Sequence, residues 1–359
     1  MSRKTNKQPI SKAWLIAIVA TGWLILVSSL HFWLNYDHSN SRNVYMGYMP
    51  VVTNLAAPLL DHATEGSSDT HFHSLKFSSF AEMAEALRHD KIQAAFIIAP
   101  LAVVLHQQSK DIKIVYIGNR HESTFVARKD LGVESLKDLS GKTVAVPMRY
   151  SGHNLSILQM MEQEGLKGEI NIVELNPPDM SAALAAGSLD GYFVGEPFAA
   201  QTLKEGSSSL VYRAEEVWDS FICNLVIVKS QLIEDEPETV RRLVSGAVRS
   251  GLWAKKHPRQ AAAIAAQYWN QPLDLVEYAL TVPEGRIVYD QFMPKIDEIQ
   301  EIADMMVHFK LIDKNDVAGL VDDRFAASVQ TGDVEKLEDI LSAEDSLSSW
   351  TSSREGRTH

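Results

Sequence analysis

The chain has 359 residues, 45% of them hydrophobic, which is enough for one large or two medium-sized hydrophobic cores. Acidic residues outnumber basic residues by 46 to 34, and the formal net charge is −12. This balance argues against a role in nucleic-acid binding, because affinity for phosphate backbones requires clustered positive charge.

The N-terminal region predicts a membrane helix. Residues 13–34 (AWLIAIVATGWLILVSSLHFWL) contain no acidic residue, and a run of about 20 apolar residues is long enough to span a bilayer. The flanking charges are Arg3, Lys4, Lys7 and Lys12 on one side and Asp37 on the other. Because a positive flank stays in the cytoplasm, we expect a single-pass anchor in the inner membrane, with the remainder of the chain outside.

A cleaved signal peptide is the alternative interpretation of this run. Residues 27–29 (Val-Ser-Ser) offer a small-residue cleavage site, and cleavage would release the remainder into the periplasm. The aromatic residues at 32–33 suit the membrane interface instead, which favours an uncleaved anchor. No cysteine directly follows the run, so a lipoprotein anchor is excluded. The single cysteine, Cys223, also excludes an intramolecular disulfide.

Strand-like apolar runs alternate with helical patterns from residue 44 to residue 236, which is typical of an α/β fold with parallel strands and crossover helices. The first cycle predicts strand 44–47, helix 53–63, strand 71–77, a helix opened by a capping box at 79–82, and strands 94–98 and 112–118. The second predicts strand 143–147, helix 154–164, strand 170–175, helix 180–186, strand 192–194, a helix from 197 and strand 221–228.

The pattern becomes purely helical after residue 237. The predicted helices cover residues 240–256, 258–268, 273–280 and 295–309. The tail at 342–359 is polar and rich in serine, and we expect it to be disordered.

Five stretches stand out by their order and spacing. They are residues 47–50 (GYMP), 94–101 (AAFIIAPL), 139–147 (LSGKTVAVP), 177–198 (PPDMSAALAAGSLDGYFVGEPF) and 248–253 (VRSGLW). Together they resemble the nitrate/sulfonate/bicarbonate-type substrate-binding proteins of ABC importers, which share the fold of thiamine-precursor-binding proteins. The resemblance covers residue 44 to about residue 325, and the fourth stretch is its most specific part.

The resemblance implies an α/β, two-lobed periplasmic binding protein of type II. Here it would be preceded by residues 1–36, which comprise a cytoplasmic stub and the predicted transmembrane anchor or signal. The first lobe would comprise residues 44–128 and 225–325, the second residues 129–224, with crossings near 124–128 and 224–229. The implied function is extracytoplasmic capture of a small anion of the nitrate, sulfonate or bicarbonate class. The implied partners are the anion and the ABC permease subunits, with no catalysis.

Residues 149–154 are the first candidate ligand-binding segment, since they lie between a predicted strand and a helix start. A helix N-terminus offers backbone donors and positive potential, and Arg149, Ser151, His153 and Asn154 add side-chain donors. The family binds ligand here too. The alternative is simple capping by Ser151 or Asn154, with Arg149 on the surface.

The other candidates flank the predicted crossings. Arg120, His121 and Ser123 could clamp an oxyanion from the other lobe; the alternative is a solvated loop with an ion pair between Arg120 and Glu122. The remaining candidates are cleft-loop residues at strand ends, namely Pro50, Pro100, Glu196 and Asn224. Glu196 could position an arginine or cap a helix, and Cys223 is expected to be a small buried residue.

We expect neither a metal nor a cofactor. His71 and His73 share one face of a predicted strand and could bind zinc together with His62. The signal is weak, because His62 does not have the sequence spacing that is usual for a third zinc ligand. Some relatives of this fold are enzymes that make the thiamine pyrimidine, and their chemistry resembles that of a cysteine-rich motif. This chain has one cysteine, which argues against such an enzyme. Gly-x-Ser-x-Gly, phosphate-loop and His-Glu-x-x-His patterns do not occur.

A membrane-anchored ligand sensor is the alternative function. The predicted anchor favours it, because many transport receptors are free or lipid-linked. Only about twelve residues precede the apolar run, so a partner protein would have to carry any signal.

Overall fold

A computed structural model describes residues 12–35, 42–67 and 69–341 of the chain. Two compact units are distinguished, Met1–Arg42 and Asn43–His359. The tail at 342–359, predicted to be disordered, and the residues before Lys12, predicted to be cytoplasmic, lie outside the described residues.

The first unit contains one described helix, α1 (Lys12–Asn35), where we predicted a membrane span. Its described apolar side chains, among them Trp23 and Leu26, are exposed. Within the described ranges, however, no helix combines the length and the apolar character that crossing a bilayer requires, so the predicted span is not supported.

The described residues from 42 to 341 contain ten strands and the remaining helices. The strands are β1 (Arg42–Tyr48), β2 (Thr70–Lys76), β3 (Ala94–Ile98), β4 (Ile112–Ile117), β5 (Ser123–Arg128), β6 (Thr143–Val146), β7 (Asn171–Glu174), β8 (Gly191–Gly195), β9 (Ser208–Arg213) and β10 (Asn224–Lys229). The helices are α2 (Ala56–Thr64), α3 (Phe80–Arg88), α4 (Ala99–Ser109), α5 (Gly152–Gln163), α6 (Pro177–Ala185), α7 (Phe198–Glu205), α8 (Ala214–Val217), α9 (Ser230–Asp235), α10 (Pro237–Lys256), α11 (Pro258–Trp269), α12 (Leu273–Thr281), α13 (Ile296–His308) and α14 (Arg324–Ala327).

The strands form two five-stranded sheets. The order is β2-β1-β3-β10-β4 in the first sheet and β7-β6-β8-β5-β9 in the second. The sheets are mixed and not parallel as predicted, because β10 runs antiparallel to β3 and β4, and β5 runs antiparallel to β8 and β9. Both antiparallel strands begin directly after the chain passes from one sheet to the other, and therefore enter from the opposite end. Strand β5, which the resemblance assigned to the first lobe, belongs to the second sheet.

Alternation along β3 shows how the first sheet is covered on both faces. Ala94 and Phe96 face a core shared with α2, α10, α11 and α12, whereas Ala95 and Ile97 face a core shared with α4 and α13. The second of these cores continues through the second sheet without a break. Continuous burial of β3 explains why its sequence is apolar at every position.

The predicted capping box at 79–82 is wrong. Ser79 is the N-cap residue of α3, but its side chain makes no capping hydrogen bond. The apolar stripe behind it is correct, since Phe80, Met83, Ala84 and Leu87 are all buried. Burial of this stripe, and not the cap, therefore fixes the helix.

Candidate functional site

The candidate site lies where strand ends of both sheets meet. Ser123, at the start of β5, is paired with Gly195 at the end of β8, and Asn224, at the start of β10, is paired with Ile98 at the end of β3. The chain passes between the sheets at residues 118–122 and 218–223, next to these ends. The site's polar residues, hereafter the inter-sheet cluster, are Glu122, Ser123, Thr124, His153, Glu196 and Cys223.

A chain of hydrogen bonds runs through the cluster. The Nε2 atom of His153 lies 2.9 Å from the Oγ of Ser123, which donates to the Oε1 of Glu122 at 2.8 Å. The Oε2 of Glu122 accepts from the backbone N–H of Glu196 at 3.1 Å. A carboxyl group, a hydroxyl group and an imidazole are thus linked in series and can exchange proton positions.

Burial shifts the pKa values of the ionisable groups in this hydrogen-bond chain. Desolvation raises the pKa of Glu122 to about 7, against smaller opposing effects of hydrogen bonds from Ser123 and Cys223 and of the nearby Arg286. Desolvation lowers the pKa of His153 to about 3, so the imidazole is neutral at physiological pH. Of the two ionisable groups in the hydrogen-bond chain, Glu122 is therefore the one whose pKa lies near neutrality.

The thiol of Cys223 is buried in the same cluster. Desolvation, together with the neighbouring Glu122 carboxylate, holds the pKa of Cys223 well above its usual range. The Sγ atom lies 4.0 Å from the Nε2 of His153. Because a nucleophile must be a thiolate, this arrangement is that of an inert, buried cysteine.

Glu196 matches the capping alternative. Its Oε2 accepts from the backbone N–H of Ala200 at 2.7 Å, in the first turn of α7, and its Oε1 accepts from the Oγ1 of Thr124 at 2.7 Å. Burial raises the pKa of Glu196, while the Thr124 and Ala200 bonds and then the charge of Arg286 act in the opposite direction. Glu196 therefore both caps α7 and lies within the field of an arginine.

Two buried polar atoms at the site have no hydrogen-bond partner among the described residues. They are the Nδ1 of His153, in the first turn of α5, and the Oδ1 of Asn119, just after β4. The His153 ring is held edge-on to Phe193 and Phe221, with centroid distances of 5.0 and 5.3 Å. Because buried polar atoms in proteins are normally paired, these two atoms point to a ligand or to ordered water.

Asparagines of the first sheet extend the polar site. The Nδ2 of Asn224 donates to the Oδ1 of Asn54 at 2.8 Å, and the Nδ2 of Asn119 donates to the carbonyl of Val52 at 2.9 Å. The backbone N–H of Val52 in turn donates to the carbonyl of Glu196 at 2.7 Å. This last bond joins the loop after β1 directly to the loop after β8, so the two sheets are in contact across the site.

Arg120 is buried, and each nitrogen of its guanidinium group has a hydrogen-bond partner. Its guanidinium donates to the carbonyls of Gln291 and Ser220 and pairs with Glu298 at 3.0 Å, and not with Glu122 as the solvated-loop alternative proposed. It thus ties the crossing to the C-terminal segment. His121, beside it, has a φ of 63° and is half-buried, with its Nε2 atom 3.4 Å from the carbonyl of Asp219.

The start of α5 shows the predicted capping. The Oγ of Ser151 accepts from the backbone N–H of Asn154, whose Nδ2 donates to the carbonyl of Arg149. The Arg149 side chain is 63% exposed and pairs with Glu174 at 2.7 Å, which keeps it outside the inter-sheet cluster.

Of the remaining predicted residues, Pro50 follows β1 and Pro100 lies in the first turn of α4, and both are buried. A residue that the sequence did not single out is Arg286, which donates to the carbonyl of Ser123 at 2.6 Å and to the Oγ1 of Thr124 at 3.0 Å. It also pairs with Glu215 at 2.8 Å. Its position after a predicted helix carried no signal for this role.

Comparison with known proteins gives a family match. The model of the NMT1-like family matches residues 37–269, more than half of the chain. A Bacillus subtilis protein named as an aliphatic sulfonates-binding protein is 26% identical over 80% of this chain and 88% of its own length. The taurine-binding periplasmic protein of Escherichia coli is 29% identical over 48% of this chain and 54% of its own length.

The fold is also found in solved structures. The ligand-binding component of an ABC-type import system from Staphylococcus aureus, crystallised with zinc bound, superposes with a TM-score of 0.73. It is 20% identical, and the match covers 81% of this chain and 99% of the other. At that identity, the likeness shows a shared two-sheet binding-protein fold and nothing about the ligand.

Proposed function

Because the chain belongs to the NMT1-like family, we propose that it is the extracytoplasmic solute-binding protein of an ABC importer and not an enzyme. Its ligand is a small anion, captured when two α/β lobes close over the inter-sheet cluster. The nitrate, sulfonate and bicarbonate classes all suit such a site, and sulfonates come first because two relatives are named for them. The inert thiol of Cys223 supports a binding role over a catalytic one.

The observation that carries the proposal is the buried Nδ1 of His153, which has no hydrogen-bond partner in the part of the chain that the structure describes. It lies in the first turn of a twelve-residue helix, where the backbone amides and the helix dipole favour an anion. An imidazole N–H pointing to the same place would add a neutral donor, which needs no buried charge.

Glu122 decides whether that donor exists. When Glu122 is protonated, it can donate to Ser123, Ser123 can donate to the Nε2 of His153, and the imidazole proton then resides on Nδ1. When Glu122 is ionised, Ser123 donates to it instead, and Nδ1 becomes an acceptor. Anion binding should therefore strengthen as the pH falls through about 7.

Asn119 narrows the choice among sulfonates. Its Oδ1, which has no hydrogen-bond partner among the described residues, is an acceptor, and the neighbouring cluster contains the buried carboxyl group of Glu196. This set suits the ammonium group of a zwitterion better than an alkyl tail, because an alkyl group would leave the acceptor unpaired. An aminosulfonate such as taurine is therefore the proposed first candidate.

Calorimetric titration of the full chain tests the proposal. The ligands are taurine, ethanesulfonate, nitrate, bicarbonate, a phosphonate and a thiamine pyrimidine, added after bound ligand has been removed. We expect micromolar binding of one anion, taurine before ethanesulfonate. His153→Phe keeps the ring packing but removes Nδ1 and should weaken binding at least tenfold, about 1.4 kcal/mol.

Arg149→Ala is the matched control, since Arg149 is exposed and paired with Glu174. We expect its affinity to stay within about twofold of the wild type. No binding across the panel by a folded protein would contradict the anion-receptor proposal. Equal loss in both variants would contradict the placement of the ligand at His153.

We also propose that the second unit faces the periplasm, with the segment containing α1 directing export or remaining as a membrane tether, and that the permease subunits are its partners. Protease added to intact spheroplasts should digest the second unit. In cells not treated with protease, carbonate extraction separates a tethered protein, which sediments with membranes, from a released one. Protection from protease would contradict the proposed location.

A further inference from the structure

A second cluster of polar side chains lies away from the inter-sheet site, between α2 and the edge strand β2. Asp61 of α2 and His71 and His73 of β2 each offer one ligand atom, and these atoms lie within 4.8 Å of one another. The Nε2 of His71 is 3.1 Å from the Oδ1 of Asp61, and the two imidazole centroids are 3.7 Å apart. Two imidazoles and a carboxylate therefore lie close enough together to share one metal ion.

The carboxylate is held in place by its surroundings. The Oδ2 of Asp61 accepts from the backbone N–H of Ser74 at 2.6 Å and from its hydroxyl at 2.8 Å, which leaves Oδ1 directed at His71. Such outer hydrogen bonds orient a metal ligand and reduce the cost of ordering it. The side chains of His71 and Asp61 are only 18% and 13% exposed, so a bound ion would be largely shielded from water.

A fourth ligand is within reach. The Oδ1 of Asn43 lies 2.8 Å from the Nε2 of His73, at the start of β1. The ring of Tyr45 stacks on that of His73 with a centroid distance of 5.1 Å and limits its rotation. A carbonyl oxygen or a water at this position would complete four-fold coordination.

We propose that Asp61, His71 and His73 bind a divalent transition-metal ion of the Zn²⁺ type. Two imidazole nitrogens and one carboxylate oxygen are a ligand set that Zn²⁺ accepts, and hard cations such as Mg²⁺ and Ca²⁺ prefer oxygen ligands. From the sequence, His62 was the candidate third ligand beside His71 and His73. In the structure, Asp61 takes that place, while the His62 ring lies edge-on to Tyr268.

The ion would act on the fold and not on the anion site. It would join the C-terminal half of α2 to β2, which lies at the edge of its sheet, beside β1. Binding that requires this folded arrangement stabilises the native state according to the free metal concentration. The proposal is therefore independent of the ligand assigned to the inter-sheet cluster.

The test uses the full chain without a histidine tag, treated with EDTA and then dialysed. Titration with ZnCl2 should show one tight site and a rise in melting temperature, and CoCl2 should give the visible absorption of a tetrahedral site. Asp61→Asn, His71→Ala and His73→Ala should each weaken Zn²⁺ binding at least tenfold. His89→Ala and His308→Ala are matched controls, because each removes an exposed histidine beside a glutamate, and both should bind within twofold of the wild type.

Absence of a tight site in the wild type, or an unchanged affinity in all three ligand variants, overturns the proposal. Asp61→Asn could unfold the α2–β2 region because Ser74 depends on that carboxylate. His73→Ala leaves those two bonds intact, and its circular dichroism without metal shows whether the fold is retained. A folded His73→Ala protein that binds Zn²⁺ like the wild type also overturns the proposal.

Discussion

Glu122→Gln gives a direct thermodynamic test of the buried hydrogen-bond chain. Glutamine imitates the protonated carboxyl group, since its amide nitrogen can donate to the hydroxyl of Ser123 while its amide oxygen accepts from the backbone N–H of Glu196. An exposed glutamate titrates near 4.5, whereas burial raises the pKa of Glu122 to about 7. Folding therefore takes up a proton between these two pH values, and the wild type loses stability as the pH rises through them.

The interval between pH 4.5 and 7 corresponds to about 3 kcal/mol, at about 1.4 kcal/mol per pH unit. His153 works in the opposite direction, because its lowered pKa of about 3 destabilises the native state as the pH falls below 6.5. The two contributions partly cancel in the wild type between about pH 4.5 and 6.5. The difference between wild type and Glu122→Gln removes the His153 contribution and isolates Glu122.

Urea denaturation of both proteins at several pH values from 4.5 to 8.5 measures this difference. We expect equal stability near pH 4.5 and a variant more stable by up to about 3 kcal/mol above pH 8, with unchanged m-values. Glu134→Gln, at an exposed position, should give a flat difference near zero. A Glu122→Gln difference that does not change with pH would refute the reasoning, because Glu122 would then titrate as an exposed group.

Three further predictions concern packing and reactivity. Arg286→Ala should cost about 3 kcal/mol in urea denaturation, because it strands a partly buried Glu215, whereas the exposed Arg259→Ala should cost less than about 1 kcal/mol. Gly118→Ala should lower stability by about 2 kcal/mol in the same assay, since a Cβ there would lie 2.4 Å from the carbonyl of Thr53; a cost below about 0.5 kcal/mol would contradict this close approach. Cys223 should react with iodoacetamide about a hundredfold more slowly in the native protein than in denaturant, as followed by mass spectrometry, and comparable rates would contradict its burial.

Hydrophobic periodicity was sufficient to predict an element and its limits where the apolar pattern of that element alone determines its structure. The run at 94–98 was predicted with the same limits as β3, and the stripes of α3, α10 and α13 were placed within a few residues. In these elements the hydrophobic face is continuous, so local sequence and tertiary packing favour the same structure.

Prediction failed where a strand is defined by its neighbours. Strand β9 has a mostly half-exposed pattern and forms because β5 lies beside it, while β5 itself was taken for a connection between lobes. Helix α4 follows β3 without a polar break, and so the apolar run did not reveal its start. Register and strand order depend on contacts distant in sequence, which periodicity does not encode.

The candidate site was predicted in part for the same reason. Ser123, His153, Glu196 and Asn224 were found because they end or begin strands and helices whose ends must meet. Arg286 and Asp61 were missed because each reaches its partners from an element that shows no polar motif. Their roles arise only from the three-dimensional proximity of α2 to β2 and of residue 286 to β5.

The position of α13 has a mechanical consequence for opening. This helix packs against α4, beside the first sheet, and against α5, beside the second, and its residues Ile299, Ile302 and Met306 are buried in the core that both sheets share. A wide clam-shell rotation about the two chain crossings would pull one side of α13 into water. Sliding of packed helices by small amounts keeps these contacts. Entry of the proposed ligand should therefore occur when packed helices slide past one another by a small distance. In that motion α4 and α5 would slide along the surface of α13.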